Sequence, residues 1–309
     1  MRTISVIRWV LRKTIPFPVR EFLRMAFWRM IGRDDLSFFR EAERNGLRLA
    51  PVCDGPQVSI LCCVWNTRPA FLRQMLHSIR KQSYRNWELV VDDCSDSFHP
   101  ETGAVLMRFA AADARIKVRK TVNRGIALNT NAAADRAAGD FILLMDHDDM
   151  LLPDALEHLI RAQEAEHADF VYSDEYYFQM PYHVVWHRHK KPFSMRKLEE
   201  ENYINHPALI RKSLFLQIGG LRPGFEGAQD HDLYLRLFEK TSRIAYVPGA
   251  LYVWRLHPDS FSHSSIQRCA EAGKKALEEH FRRMNVAAIV ECNNRETIYR
   301  VRFPNKRRS

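Results

Sequence analysis

The chain has 309 residues and a mass of 36.3 kDa, with 46% hydrophobic and 27% charged residues. That leaves room for one large domain or two modest ones and excludes a wholly disordered chain. No stretch approaches the ~18 consecutive apolar residues of a membrane-spanning helix. The formal net charge of +10 sits at the ends. Residues 1–33 carry eight Lys or Arg against one acid, Lys306, Arg307 and Arg308 lie close to the other end, and the chain between is neutral. Six cysteines show neither CxxC pairs nor a framework spacing, which fits reduced thiols. No small-residue cleavage site follows the basic start, so the chain reads as cytosolic rather than secreted.

In chain order, the first element is a basic helical extension over residues 1–50. Ile4, Ile7, Val10 and Leu11 form one apolar stripe, and Pro16 and Pro18 interrupt it. Val19, Phe22, Leu23, Ala26, Phe27, Met30 and Ile31 form a second stripe at helical spacing, with Arg20, Arg24 and Arg29 between them. A basic, amphipathic, aromatic-bearing pair suits the surface of an anionic membrane. The same faces could instead dock on the body or on a second subunit. No helix-turn-helix, zinc-finger or RNA-recognition signature supports a nucleic-acid partner.

The body, 51–262, alternates strands with helices. VSILCCV at 58–64, ELVVDD at 88–93 and FILLMD at 141–146 read as buried strands, and Ile116–Lys120 as an edge strand. Helices are expected near 69–82, 101–113 and 126–138, with Pro153 in the first turn of the next. This pattern predicts an α/β fold with a doubly wound, mostly parallel sheet and helical N- and C-terminal extensions. The sequence divides into a half over 58–150 and a second over 151–262. In the second, 174–210 reads as irregular, a helix starts near Asp230, and Ile244–Val247 and Leu251–Trp254 read as two short strands. A basic helix from about Ser264 to Met284 lies in a C-terminal extension, 263–309.

Open parallel sheets bind ligands beyond the carboxyl ends of their strands. Two strands here deliver acids to that edge, Asp92–Asp93 and Asp146-His147-Asp148-Asp149. Alternation along an extended segment lets Asp146 and Asp148 face one site, where oxygen ligands suit Mg²⁺ or Mn²⁺ with substrate phosphate. Helix capping would account for one acid, such as Asp149, but not for all. No P-loop or GxGxxG is present, which weighs against those phosphate cradles. Trp65, beside Cys63 and Asn66 after the first strand, can pack on a base or ribose or serve as a rim aromatic. Asp230, at the start of its helix, can be an N-cap or a general base. Arg255 can pair with phosphate, and His257 can bind metal or be structural.

Together these segments resemble an inverting family 2 glycosyltransferase of the nucleotide-diphospho-sugar transferase fold, from about Val58 to Ser262. The resemblance rests on NWELVVDDCSD at 86–96, NRGIALNTNAAADRAAGDFILLMDHDDMLLPDAL at 123–156 and SDE at 173–175. ENYINHPALIRK, GGLRPGFEGAQDHDLYLRL and LYVWRLHPDS extend it, and these are similar to the rhamnan and O-antigen branch. The resemblance implies a UDP- or dTDP-linked sugar donor and a glycan acceptor, lipid-linked at the cytoplasmic face of the inner membrane. It implies nucleotide binding by Cys63, Trp65, Asn66, Asp93, Asn131 and Asp146, and Mn²⁺ or Mg²⁺ on Asp148, Asp146 and His257. Asp230 would be the catalytic base. Arg255, Trp254, Gln229, His206 and Glu175 would contact diphosphate or acceptor. Cys63, Trp65 and Cys94 stand where relatives carry Pro or Thr, Tyr, and Gly. A sugar nucleotidyltransferase and an inactive membrane-associated scaffold are the alternatives on the same fold, and an oligomer is compatible with either.

Overall fold

In the computed structural model the described residues are 55–179, 184–257, 265–293 and 296–304; the basic N-terminal extension expected to be helical and Lys306–Arg308 lie outside them. The first half alternates β1 (Val58–Val64), α1 (Pro69–Arg80), β2 (Trp87–Asp93), α2 (Pro100–Ala112), β3 (Ile116–Lys120), α3 (Ile126–Arg136) and β4 (Phe141–Leu144). Then come β5 (Met150–Leu151), α4 (Ala155–Glu166), β6 (Phe170–Gln179), β7 (Val184–Arg188), α5 (Met195–Glu200), β8 (Ala208–Arg211), α6 (Lys212–Gln217) and α7 (Gln229–Phe238). The long β9 (Ile244–Leu256), α8 (Ile266–Arg283), β10 (Ile289–Cys292) and β11 (Tyr299–Arg302) complete it.

One nine-stranded sheet runs in the order β3-β2-β1-β4-β8-β6-β9-β5, with β7 paired to β6. β1 lies between β2 and β4 and is parallel to both, so the winding direction reverses at β1. Period-two alternation splits the strands between two cores. Ile60, Cys62 and Val64 pack with α1, α2 and α4, while Leu61, Val90 and Ile142 pack with α3, α6, α7 and α8. Strands buried on both faces read as continuous apolar runs, which is why β1, β2 and β4 stand out in the sequence.

The second half departs from the sequence reading. Residues 174–210 are not irregular: β6 continues to Gln179, and β7, α5 and β8 follow. β8 is antiparallel between β4 and β6, so the sheet is mixed. The polar residues of β6 and β7 hide the alternation because they pair with each other inside the fold. Arg188 Nη1, for example, donates to Glu175 Oε1 at 3.0 Å. The two short strands at 244–254 are one strand, β9, whose register against β6 shifts around Asp174. Pro248–Gly249, which marks a break in sequence, falls in this irregularity, and Gly249 has φ 116°. Pro153 lies just ahead of α4, whose N-cap is Asp154, rather than in its first turn. The β10–β11 hairpin is absent from the sequence reading.

Gly139 precedes β4 where the chain passes directly over the start of β1. A Cβ there would stand 2.6 Å from the Gln57 carbonyl oxygen and 2.8 Å from the Ser59 nitrogen, both backbone atoms. Gly139→Ala is expected to lower the unfolding free energy by about 1–3 kcal/mol, measured by denaturant unfolding.

Candidate active site

The carboxyl ends of β1, β2 and β4 open into a cleft of about 890 Å³ beside the reversal point of the sheet. Cys63 near the end of β1 lines it, with Trp65 and Asn66 after β1, Cys94 after β2, and Asp146 and Asp148 after β4. Gln229 and Asp230 enter from α7, His206 from the segment before β8, and Trp254, Arg255 and His257 from the end of β9.

Two loops are tied together at one wall. Asn66 adopts φ 50°, a left-handed conformation that Asn tolerates. Its Nδ2 donates to Asp96 Oδ2 at 2.8 Å, its Oδ1 accepts from the Asp96 backbone nitrogen at 3.1 Å, and its own backbone nitrogen donates to Ser95 Oγ. Trp65 is held on this turn with 55% of its surface exposed, so its indole is a rim aromatic available to a planar ligand. Cys63 and Cys94 are packed rather than reactive: burial pushes their thiols up to about 12 and about 11. Cys94 does not have positive φ, so a side chain there is accommodated without strain.

The turn after β4 is built on a buried acid. Asp149 Oδ2 accepts from Tyr252 Oη and Oδ1 from the Arg255 backbone nitrogen, each at 2.7 Å. Burial and then the charges of Asp148 and Asp146 push Asp149 well above the usual carboxylate range. Asp148 goes the other way. Burial opposes its charge, but the hydrogen bond from His257 Nε2 at 2.8 Å and the nearby His147 outweigh it, and its pKa falls. A carboxylate beside an imidazole on the cleft wall is a donor set that fits Mn²⁺ or a similar divalent ion. Asp146 does not converge on that pair; its carboxylate is 3.4 Å from His206 Nε2.

Several expected site residues are engaged elsewhere. Asp93 does not line the cleft: Oδ1 accepts from the Ser95 backbone and Oδ2 from Lys120 Nζ, each at 3.0 Å. Asn131 is off the wall too, because its amide donates to the Leu221 carbonyl and accepts from the Leu221 nitrogen, both at 2.8 Å. Asn129, missed in the sequence reading, lines the cleft instead. Its Nδ2 donates to Cys94 Sγ and its buried Oδ1 has no hydrogen-bond partner among the described residues. Both asparagines stand in the same NTN, but two residues turn a helix by roughly 200° and put them on different faces. Arg255 is 1% exposed; its guanidinium donates to the Asp148 carbonyl oxygen and to Gln74 Oε1. It shapes the acidic turn, where the sequence suggested phosphate pairing.

Asp230 lies in the first turn of α7, half-buried on the cleft wall. Asn202 Nδ2 donates to its Oδ2 at 2.8 Å, a partner the sequence gave no signal for. Asp232 is fully buried and is paired with Arg222 and Arg236. Glu175 is also buried, off the cleft wall, and flanked by Arg188 at 3.0 Å and Lys190 at 3.5 Å. Burial opposes its charge, but Lys190, His206 and Arg188 hold it down at about 2. His206, stacked on Tyr252 with centroids 4.9 Å apart, stands between Asp146 on the cleft wall and the buried Glu175 behind it. Burial would depress its imidazole, yet the two carboxylates raise it well above its usual value.

The model of the family described as Glycosyl transferase family 2 matches residues 59–219, more than half of the chain. The chain belongs to glycosyl transferase family 2. It is 34% identical over 258 residues to the O-antigen biosynthesis protein RfbC of Myxococcus xanthus, covering 81% of this chain and 20% of RfbC. It thus spans about a fifth of RfbC's length, and about a quarter of that of another curated relative. Among solved structures, S. aureus TarS in complex with UDP-GlcNAc superposes with a TM-score of 0.58 at 18% identity, over 73% of this chain and 66% of that one. The mannosyltransferase PcManGT from Pyrobaculum calidifontis, in complex with GDP-Man and Mn²⁺, gives 0.55 at 18% identity, over 81% and 71%. These two likenesses establish the nucleotide-sugar transferase fold, a largely parallel curled sheet flanked by helices. No described helix is long and apolar enough to cross a membrane.

Because Glu175 is depressed from 4.5 to about 2, its contribution to stability is complete above pH 4.5 and is lost as the pH falls towards 2. Glu175→Gln removes the carboxylate that pairs with the buried Lys190 and leaves Arg188 with Glu201 as its acidic partner, and it is expected to destabilise the protein by about 3–5 kcal/mol at pH 7. Urea unfolding at a series of pH values should show the gap between wild type and variant narrowing from pH 4.5 down to 2.

Proposed function

We propose that this glycosyltransferase is an inverting hexosyltransferase acting in bacterial surface polysaccharide synthesis. It moves a sugar from a UDP- or dTDP-linked donor, such as a hexose or rhamnose, to a hydroxyl of a lipid-linked glycan. The observation that carries the mechanism is the placement of Asp230 on the same cleft wall system as Asp146, Asp148 and His257. The O-antigen role named for RfbC and the UDP-GlcNAc and GDP-Man held by the two solved neighbours support the substrate classes.

In this reading residues 58–150 hold the nucleotide and residues 151–262 the acceptor. Trp65 stacks on the base, and Asn129 Oδ1 accepts from a donor group of the nucleoside. Asp148 and His257 would hold Mn²⁺ or Mg²⁺, while Asp146 stands beside them against His206. When bound, such an ion offsets charge on the departing nucleoside diphosphate. Asn202 fixes the Asp230 carboxylate, which takes the proton from the acceptor hydroxyl. The freed oxygen attacks the anomeric carbon as the bond to the diphosphate breaks on the opposite side, so the configuration inverts. The basic N-terminal extension would attach the enzyme peripherally to the cytoplasmic face of the inner membrane.

Asp230→Asn should lower transfer by about 10²- to 10⁴-fold while nucleotide binding persists. Near-normal turnover would remove Asp230 from the base role, and release of pyrophosphate in place of nucleoside diphosphate would mark a nucleotidyltransferase. In thermal unfolding with UDP or dTDP and Mn²⁺, ligand at 100 times its dissociation constant should add about 2.7 kcal/mol. Each kcal/mol raises the midpoint by roughly 2–4 °C. The shift should require Mn²⁺ and disappear in Asp148→Ala.

A further inference from the structure

Asp174 and Glu175 are neighbours on β6, yet their carboxylates meet different partners. Residues 187–190, His-Arg-His-Lys, run alongside in alternation: Arg188 and Lys190 pair with Glu175, whereas His187 and His189 meet Asp174. His187 Nε2 is 2.9 Å from Asp174 Oδ2, and His189 Nδ1 is 3.4 Å from the same oxygen. The two imidazoles lie with centroids 3.6 Å apart and planes tilted by 36°. Among the described residues this is the only group of three or more His, Cys, Asp or Glu whose ligand atoms all lie within 4.8 Å of one another.

The carboxylate is also held from outside. Tyr246 Oη and the Lys190 backbone nitrogen donate to Asp174 Oδ1 at 2.6 and 2.7 Å, and the Gly249 nitrogen approaches Oδ2 at 3.3 Å. Such outer hydrogen bonds orient a metal ligand and fix its lone pairs. Asp174 is buried and His187 half-buried, while His189 is 74% exposed, so solvent can complete a coordination sphere on that side. None of the three residues lines the cleft.

We propose that Asp174, His187 and His189 form a second metal site, separate from the donor cleft, that takes a borderline divalent ion of the Zn²⁺ class through two imidazole nitrogens and one carboxylate. Its role is structural. An ion bound there clips the segment after β7 to β6 and the bulge of β9, and so fixes Arg188 and Lys190 against Glu175. The inference does not rest on the proposed transferase mechanism.

The test is titration of the tag-free full chain, without nucleotide, with Co²⁺ followed by its visible ligand-field absorption, and with Zn²⁺ followed by thermal unfolding. Wild type, Asp148→Ala, His189→Ala and His187→Ala/His189→Ala are compared. His189 is exposed, so its single replacement leaves the core intact. The expected result is binding and a raised midpoint in wild type and in Asp148→Ala, weakened about 10-fold or more in His189→Ala and reduced in the double variant to the ion held by Asp148 and His257 in the cleft. Binding that vanishes in Asp148→Ala but survives in the histidine variants would place the ion in the cleft and overturn the proposal. No binding to any of the four, or equal affinity in wild type and His189→Ala, would overturn it as well.

Discussion

A carboxylate buried without compensation would give up its charge or unfold its surroundings. Glu175 is buried in the middle of the sheet and remains ionised because Arg188, Lys190 and His206 reach it from three directions. Satisfying that one group fixes much else. It sets β7 against β6 and holds the segment before β8, because the Lys190 ammonium also donates to the Ile204 and His206 carbonyl oxygens. It also places His206 where its other nitrogen approaches Asp146. The acidic turn after β4 and the irregular-looking second half of the chain are thus joined through one buried charge.

A similar arrangement recurs around the cleft. Asp149 anchors its turn to Tyr252 and to the Arg255 backbone, and Arg255 returns a hydrogen bond to the Asp148 carbonyl oxygen. Asp232 supports α7 through Arg222 and Arg236. In each case one acid is buried to build the wall while a neighbour in sequence, Asp148 or Asp230, is left facing the cleft. Burial of a fixed acid gives the exposed one a defined position, and position governs how well a carboxylate serves as a base or a metal ligand.

Most of the first half was legible in the sequence. Fully buried parallel strands need apolar residues on both faces, so VSILCCV, ELVVDD and FILLMD announced themselves, and the acids that end them marked the ligand edge. The second half was less legible because its strands carry polar side chains that are satisfied by one another. HRHK in 187–190 and SDE in 173–175 look solvated until they are set side by side.

The sequence by itself determined the fold class, the family and the acids at the strand ends, because burial periodicity and local motif order are one-dimensional properties. Tertiary structure alone decided which of two similar groups serves the cleft. Asn129 faces it and Asn131 does not, since the helix turns between them and Leu221 takes the second amide. Asp93 is held by Lys120 and Ser95, and Arg255 is buried beneath the acidic turn. Each of these outcomes depends on partners distant in sequence, such as Leu221 for Asn131 and Asp148 for Arg255, that only the packed chain brings together.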